Sequence, residues 1–387
     1  MDNNNLNKGG GIRIGTIVPI AAAFMAYVMG SGFSTGNEVL QCFGSYGIPG
    51  GFLVILTAFI ITGYFASASY RHGMTTNWEF KNDHDAYEYI AQNKILAYVF
   101  DIFIVICIGS FLISMFSGVG TTLNVYFGIP KMAGALVLGA LSCIVVISGI
   151  KWVHRVLGYI GIILIVLVYF IGIYAMATKG FDFSSHLGNL KSYIADGSIY
   201  QAGMLGKNHW LLSGINYAGV VLATGLPFYL KQGNDFKTKK EANVGGWLAS
   251  AFVYFGVFCV MAAVFLNLDE IVANTSAVPT LAAIMNMAPS LAWIFVVILV
   301  LAIFSTITGY LSVMQNRFTK EKTPAAYAVV IGFAAVGIFL GSVLPFSAIV
   351  NFIYNYTGIF GVILVVLLII RDIRGMGKPP ADAKTEE

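Results

Sequence analysis

Charge is what this chain has least of. Asp, Glu, Lys and Arg make up 10% of its 387 residues, against about 25% in soluble domains. With hydrophobic residues at 58%, too little polar surface remains to solvate a globule, which excludes an ordinary soluble protein. Histidine is scarce too: His72, His84, His154, His186 and His209 fall in loops or at helix ends. There is no His-Glu-x-x-His set, no Gly-x-Ser-x-Gly turn and no pair of membrane aspartates, so an enzyme is not expected. Cys42, Cys107, Cys143 and Cys259 lie in or beside apolar segments without metal-ligand spacing and read as free, buried thiols. No basic run with interleaved aromatics points to nucleic acid, and no motif points to an organic cofactor.

What is present is apolar sequence of membrane-spanning length, repeated from end to end. This is the pattern of an all-α polytopic membrane protein. Ten helices are expected, over 12–43, 49–70, 95–118, 131–149, 154–178, 208–230, 243–266, 290–314, 324–344 and 346–370. The polar stretch 71–93 has room for a short interfacial helix at 85–92. The stretch 269–289 is too broken by proline and polar residues to span, and is expected as a loop with a short helix or two. The first apolar run is too long for a signal-peptide core and reads as a retained helix. The chain therefore divides into a polar tail at 1–11, five helices over 12–178, a loop at 179–208, five helices over 209–370 and a polar tail at 371–387.

The basic residues orient these helices. Of the 22 Lys and Arg, all but Lys131, Lys179, Lys191 and Lys207 fall on the side that carries both termini. By the positive-inside rule that side is cytoplasmic. Two sets of five helices then enter the membrane from opposite sides, as inverted repeats do in secondary transporters.

One stretch organises the rest: Val28-Met29-Gly30-Ser31-Gly32-Phe33-Ser34-Thr35-Gly36-Asn37-Glu38, near the middle of helix 1. Each glycine costs about 1 kcal/mol in a helix interior, so the helix is expected to open at Gly30 to Gly32. Opened backbone deep in a membrane is tolerated only where it is buried in protein or lines a polar cavity. Close packing of helices is the bland alternative for these glycines. Glu38, a carboxylate at membrane depth, marks a functional position by default. Helix 6 has a matching candidate break in Tyr217-Ala218-Gly219-Val220-Val221-Leu222-Ala223-Thr224-Gly225-Leu226-Pro227. Pro227 has no N–H to give to Ala223. Ser110 and Ser114 share one face of helix 3. Asn351, Tyr354 and Asn355 put an unusual polar cluster into helix 10, and Phe33, Trp210 and Tyr217 are aromatics that would stack, gate or anchor. Asp101, near the basic end of helix 3, reads as structural.

The motif Gly30-Ser31-Gly32-Phe33, with Gly36 and Glu38 behind it, resembles the YkvI family of bacterial membrane proteins. That family belongs to the amino acid–polyamine–organocation superfamily, which shares the LeuT fold. The resemblance implies a LeuT-like fold with helices 1 and 6 broken, in a bacterial plasma membrane. It also implies a sodium site between carbonyls of Ala26 and Met29 on helix 1 and Ala302, Ser305 and Thr306 on helix 8. Uncharged oxygens suit a hard monovalent cation, although such hydroxyls also bond back to their own helix. A small solute would lie at the paired breaks, against Gly30, Ser31, Gly32, Phe33, Tyr217, Ala218, Gly219 and Val220, with Ser110, Ser114 and Thr308 as further candidates.

The function expected is secondary active transport by alternating access, with sodium-coupled symport of a small zwitterionic solute such as an amino acid. A proton-coupled carrier or exchanger that uses Glu38 for coupling or gating is the alternative, and a solute-sensing receptor without flux is a third. The partners expected are the solute and the lipid bilayer, with association of copies open.

Overall fold

The computed structural model describes residues 12–29, 31–76, 83–149, 151–274, 277–320 and 322–374. The two polar tails lie outside them or nearly so. Helix 1 is interrupted, as expected, but twice. The helix α1 (Ile14–Val28) ends at Met29, α2 (Ser31–Ser34) is a single turn, and α3 (Asn37–Cys42) begins after Thr35 and Gly36. Gly36 has φ +77°, a left-handed conformation that suits glycine. A Cβ there would also sit 2.8 Å from the Thr280 methyl.

The chain continues through α4 (Gly47–Thr76), α5 (Asp83–Ala91), α6 (Lys94–Phe127), α7 (Lys131–Ser148), α8 (Lys151–Lys179) and α9 (Leu190–Ala195). The second half holds α10 (Trp210–Gly233), α11 (Lys239–Phe265), α12 (Leu268–Ala273), α13 (Pro279–Met287), α14 (Ala292–Phe318), α15 (Pro324–Val343), α16 (Phe346–Tyr356) and α17 (Gly358–Ile373). Local chemistry sets several boundaries. Asn93, Thr238 and Thr323 accept from the first turns of α6, α11 and α15, as N-caps do. Pro324 occupies the first turn of α15, where its missing N–H costs nothing. Glycines in the left-handed conformation end α6 and α7, at Gly128 and Gly149.

Among the described residues, nine segments are long and apolar enough to cross a membrane, and α1 is a shorter apolar helix. The interfacial helix expected at 85–92 is α5. The stretch 269–289 carries two short helices, α12 and α13. Two expectations need correction. Helix 6 is not broken: α10 runs unbroken from Trp210 to Gly233 with Pro227 inside it. Helix 10, expected as continuous, divides at Thr357 into α16 and α17.

The packing separates two groups. α10 lies between α4 and α17, and α11 packs on α4, α1 and α8. Around them α6, α7, α14 and α15 pack on one another, with α16 against α6. The α10–α17 crossing is as close as backbones allow. A Cβ on Gly361 would run into the Gly219 carbonyl, and one on Gly219 would meet the Gly358 carbonyl. Small residues at such crossings replace the hydrophobic drive that lipid removes. Gly219 is thus a packing residue, and its place in the solute site is withdrawn.

This crossing generates the first prediction. Gly361→Ala should lower the melting temperature in detergent, at a cost of about 1–3 kcal/mol from overpacking. Gly109→Ala on α6, where a Cβ meets nothing within 4 Å, should leave it unchanged or raise it by up to about 1 kcal/mol of helix propensity. Equal effects of the two changes in thermal unfolding would refute the packing role.

Candidate functional site

Glu38 is the centre of the site. It lies in the first turn of α3 with 2% of its surface exposed. Its Oε1 accepts from the Tyr217 hydroxyl at 2.8 Å and its Oε2 from the Tyr354 hydroxyl at 2.6 Å. The two tyrosine rings stack with centroids 5.5 Å apart, so α10 and α16 close on the carboxylate like a clamp. Among the described residues no Lys, Arg or His makes an ion pair with it. The carboxylate folds back over the helix break: its Oε2 lies 2.5 Å from where a Gly32 Cβ would stand. Any side chain at position 32 would displace Glu38, which gives that glycine a steric reason.

Glu38 and Gly32 line a cavity together with Tyr27 and Val28 of α1, Ser114 of α6, Thr224 of α10 and Tyr310 of α14. Phe111, Met115, Val220, Val221 and Val350 are its apolar lining. The free space is about 40 Å³. A single water needs about 10–15 Å³ on that measure, so there is room for a few waters or one small cationic group. The hydroxyls of Ser114, Thr224 and Tyr310 make no hydrogen bond among the described residues, and each belongs to a residue that faces this space.

The expected site residues divide accordingly. Gly32, Ser114 and Val220 line the cavity, and Tyr217 reaches its carboxylate. Gly30 lies outside the described residues, and of Ser31 only the backbone is described. Phe33 is fully buried with its ring against Gly256 of α11 and does not line the cavity. Nor does Ala218. The reason is that α10 remains helical. A continuous helix presents Tyr217, Val220, Val221 and Thr224, spaced i, i+3, i+4 and i+7, to one side. An unwound segment would have presented four consecutive residues. Ser110 bonds back to the Ile106 carbonyl, and Thr308 to that of Phe304, so neither serves the cavity. On α14 the Thr306 hydroxyl donates to the Ala302 carbonyl at 3.1 Å, a bond that leaves lone pairs on both oxygens. Ser305 is half-buried.

The break is braced from outside helix 1. Thr280, at the start of α13, donates its hydroxyl to the Ser34 carbonyl at 2.6 Å and its N–H to the Thr35 carbonyl at 3.0 Å. Asn37 donates to the Ala277 carbonyl and to Ser347. A ladder of buried amides continues from Gln41 to Asn351 and Asn355, tying α3 to α16. Asn216 of α10 donates to the Tyr354 carbonyl next to the α16–α17 division. Pro227 leaves the Ala223 carbonyl without its helical donor, and the Tyr87 hydroxyl of α5 takes that place at 2.9 Å. This bond keeps α10 a single helix.

At the basic end, Arg13 binds Glu241 with its Nε at 2.8 Å and its Nη2 at 2.7 Å. That pair joins the start of α1 to the start of α11. Asp101, read as structural, pairs with Arg317 and His84.

No protein-family model and no curated protein matches this chain. Solved structures do. The chain is similar to a manganese transporter from Eremococcus coleocola in complex with an aromatic bis-isothiourea compound, with a TM-score of 0.59 and 14% identity over 92% of this chain and 78% of that one. A histidine-to-alanine variant of that transporter gives 0.58 and 15% over 96% and 83%. A glutamate-to-alanine variant gives 0.59 and 14% over the same shares. These neighbours are membrane transporters and not enzymes. The likeness gives the chain the polytopic helical fold of a membrane transporter. With the apolar spans it makes this a multi-pass membrane protein. It does not carry the YkvI assignment.

The tyrosine clamp generates the second prediction. Tyr217→Phe and Tyr354→Phe should each destabilise the protein by about 1.5–3 kcal/mol, the size of a hydrogen bond to a charged group. In a Glu38→Gln background each should cost distinctly less. A thermal-unfolding double-mutant cycle with no coupling would show that the hydroxyls do not hold the carboxylate.

Proposed function

We propose that this chain is a secondary active transporter that works by alternating access and carries a small amine-bearing solute with a monovalent cation. One observation supports this above the others: a buried carboxylate that makes no ion pair among the described residues lines a small cavity beside a broken helix. A lone charge at membrane depth is costly unless a cation joins it during function. Discontinuous helices at the bilayer midplane are where carriers bind solutes and ions.

Taken as one interrupted pass, α1 to α3 bring the crossings to ten, in two inverted sets of five as in LeuT, with the basic end in the cytoplasm of a bacterial cell. α1, α4, α10 and α11 would rock against α6, α7, α14 and α15. The Arg13–Glu241 pair would open on one side, and the amide ladder on the other. Manganese, the cargo named for the neighbour, is not favoured here. Divalent ions of that kind take several carboxylate or other oxygen ligands. Among the described residues no group of three or more His, Cys, Asp or Glu could hold a metal.

Two couplings remain, and each has its own residues. Sodium would bind carbonyls of Ala26, Met29 and Ala302 with the hydroxyls of Ser305 and Thr306. A proton would ride on Glu38. Counterflow and uptake in proteoliposomes separate them. Under sodium coupling, a sodium gradient drives uptake and Ser305→Ala with Thr306→Ala removes the dependence. Under proton coupling, an inward pH gradient drives uptake, a sodium gradient does not, and Ser305→Ala with Thr306→Ala changes nothing. Solute binding without flux under either gradient would replace transport with a receptor.

A further inference from the structure

We propose that the solute enters this cavity as an organic amine without a carboxylate, its ammonium group held by Glu38 and its apolar body by the apolar side chains that line the same cavity. The inference rests on the transporter reading and names the cargo class for that same site.

The charges on the cavity wall decide between an amine and a zwitterion. A zwitterion brings one positive and one negative group. The wall offers one carboxylate, Glu38, and no Lys, Arg or His. A solute carboxylate would therefore have no charged partner. Opened backbone near Gly32 is the remaining place for it, and the Glu38 carboxylate already covers that place, with its Oε2 2.5 Å from the Gly32 Cβ position. An incoming carboxylate would face like charge at contact distance in a site of low dielectric. The protein thus supplies in its own chain the anion that a zwitterionic solute would have carried.

The polar groups match an ammonium well. A primary ammonium has three N–H donors and no acceptor. Glu38 offers carboxylate oxygens, and the hydroxyls of Ser114, Thr224 and Tyr310 have no protein partner among the described residues. The free space of about 40 Å³ accepts the ammonium head as the cavity stands. The body of the solute would lie against Phe111, Met115, Val220, Val221 and Val350 once the helices part. A bare alkali ion would make no use of that apolar wall.

The test uses amino acids and their decarboxylated twins on the purified full-length chain in detergent. The pairs are ethylamine with alanine, isobutylamine with valine, and phenethylamine with phenylalanine, at equal pH and ionic strength. Binding to the folded state raises the melting temperature by mass action. At least one amine should raise it in a saturable way while its amino acid does not. Glu38→Gln should abolish the shift. Thr224→Val, a neutral change that keeps the carboxylate, should weaken amine affinity by about tenfold, the worth of one good hydrogen bond. A shift with an amino acid equal to or larger than that of its amine overturns the proposal, as does the absence of a shift with every amine. A saturable shift that survives in Glu38→Gln overturns it too. Counterflow of the bound amine in liposomes reads the transporter question separately. Binding without flux removes transport and leaves the amine site standing.

Discussion

A buried carboxylate on a membrane-spanning pass, with no ion-pair partner among the described residues, is the constraint on which the rest of this structure depends. Placing such a charge at membrane depth costs several kcal/mol even when polar neighbours help. Among the described residues, two tyrosine hydroxyls offset that cost for Glu38. The surroundings therefore have to hold those hydroxyls in place. Tyr217 is fixed by an unbroken α10, Tyr354 by an α16 that stops at Thr357. The same charge explains Gly32, since only glycine leaves the carboxylate room to fold over the break.

The bracing of the break follows from the same need. An opened helix exposes carbonyls that lipid cannot satisfy. Ser34 and Thr35 give theirs to Thr280. That role turns α13 from a surface connection into part of the site, because its first turn fixes the angle at which α3 delivers Glu38. Pro227 poses the same problem in α10 and Tyr87 meets it with a single hydroxyl. One broken helix is left open with donors from a neighbouring segment, and one candidate break is sealed.

Much of this was legible in the sequence. Helix positions follow from apolar length, because lipid demands it of every span. The break in helix 1 follows from three glycines in seven residues, and the importance of Glu38 from the cost of its charge. What misled was helix 6. Gly219 and Pro227 carry the composition of a break, yet Gly219 serves a close crossing with Gly361 and Pro227 is compensated from a distant helix. Neither partner is near in sequence, so no local pattern could reveal them. The same holds for Thr280, Tyr310 and Thr224. Each is an ordinary polar residue in an apolar run until the fold places it at the cavity. The Thr306 hydroxyl shows the converse: a spacing that suits an ion is also the spacing of a bond to the preceding turn.

The two ends of the molecule are closed by different chemistry, and that difference bears on how a carrier would cycle. At the basic end Arg13 and Glu241 form a bidentate ion pair, with Arg13 one-third exposed. Glu241 is only 2% exposed and also accepts from the Arg13 and Lys237 N–H groups, so opening this pair strands a buried carboxylate and costs more than parting a surface pair. At the other end Asn37, Gln41, Asn351 and Asn355 form a ladder of largely buried, neutral amides. Separating them exposes several donors and acceptors at once, and the network gives way as a unit or not at all. A cation that binds Glu38 changes the charge at the centre without touching either closure directly. It reaches the amide ladder through α3, which carries Glu38, Asn37 and Gln41 within one and a half turns. It reaches the ion pair through the break and the length of α1, and also through α11, which packs on α3 and whose Tyr254 lies beside Tyr217. The neutral closure thus shares a short helix with the carboxylate, while the charged one sits at the far ends of α1 and α11.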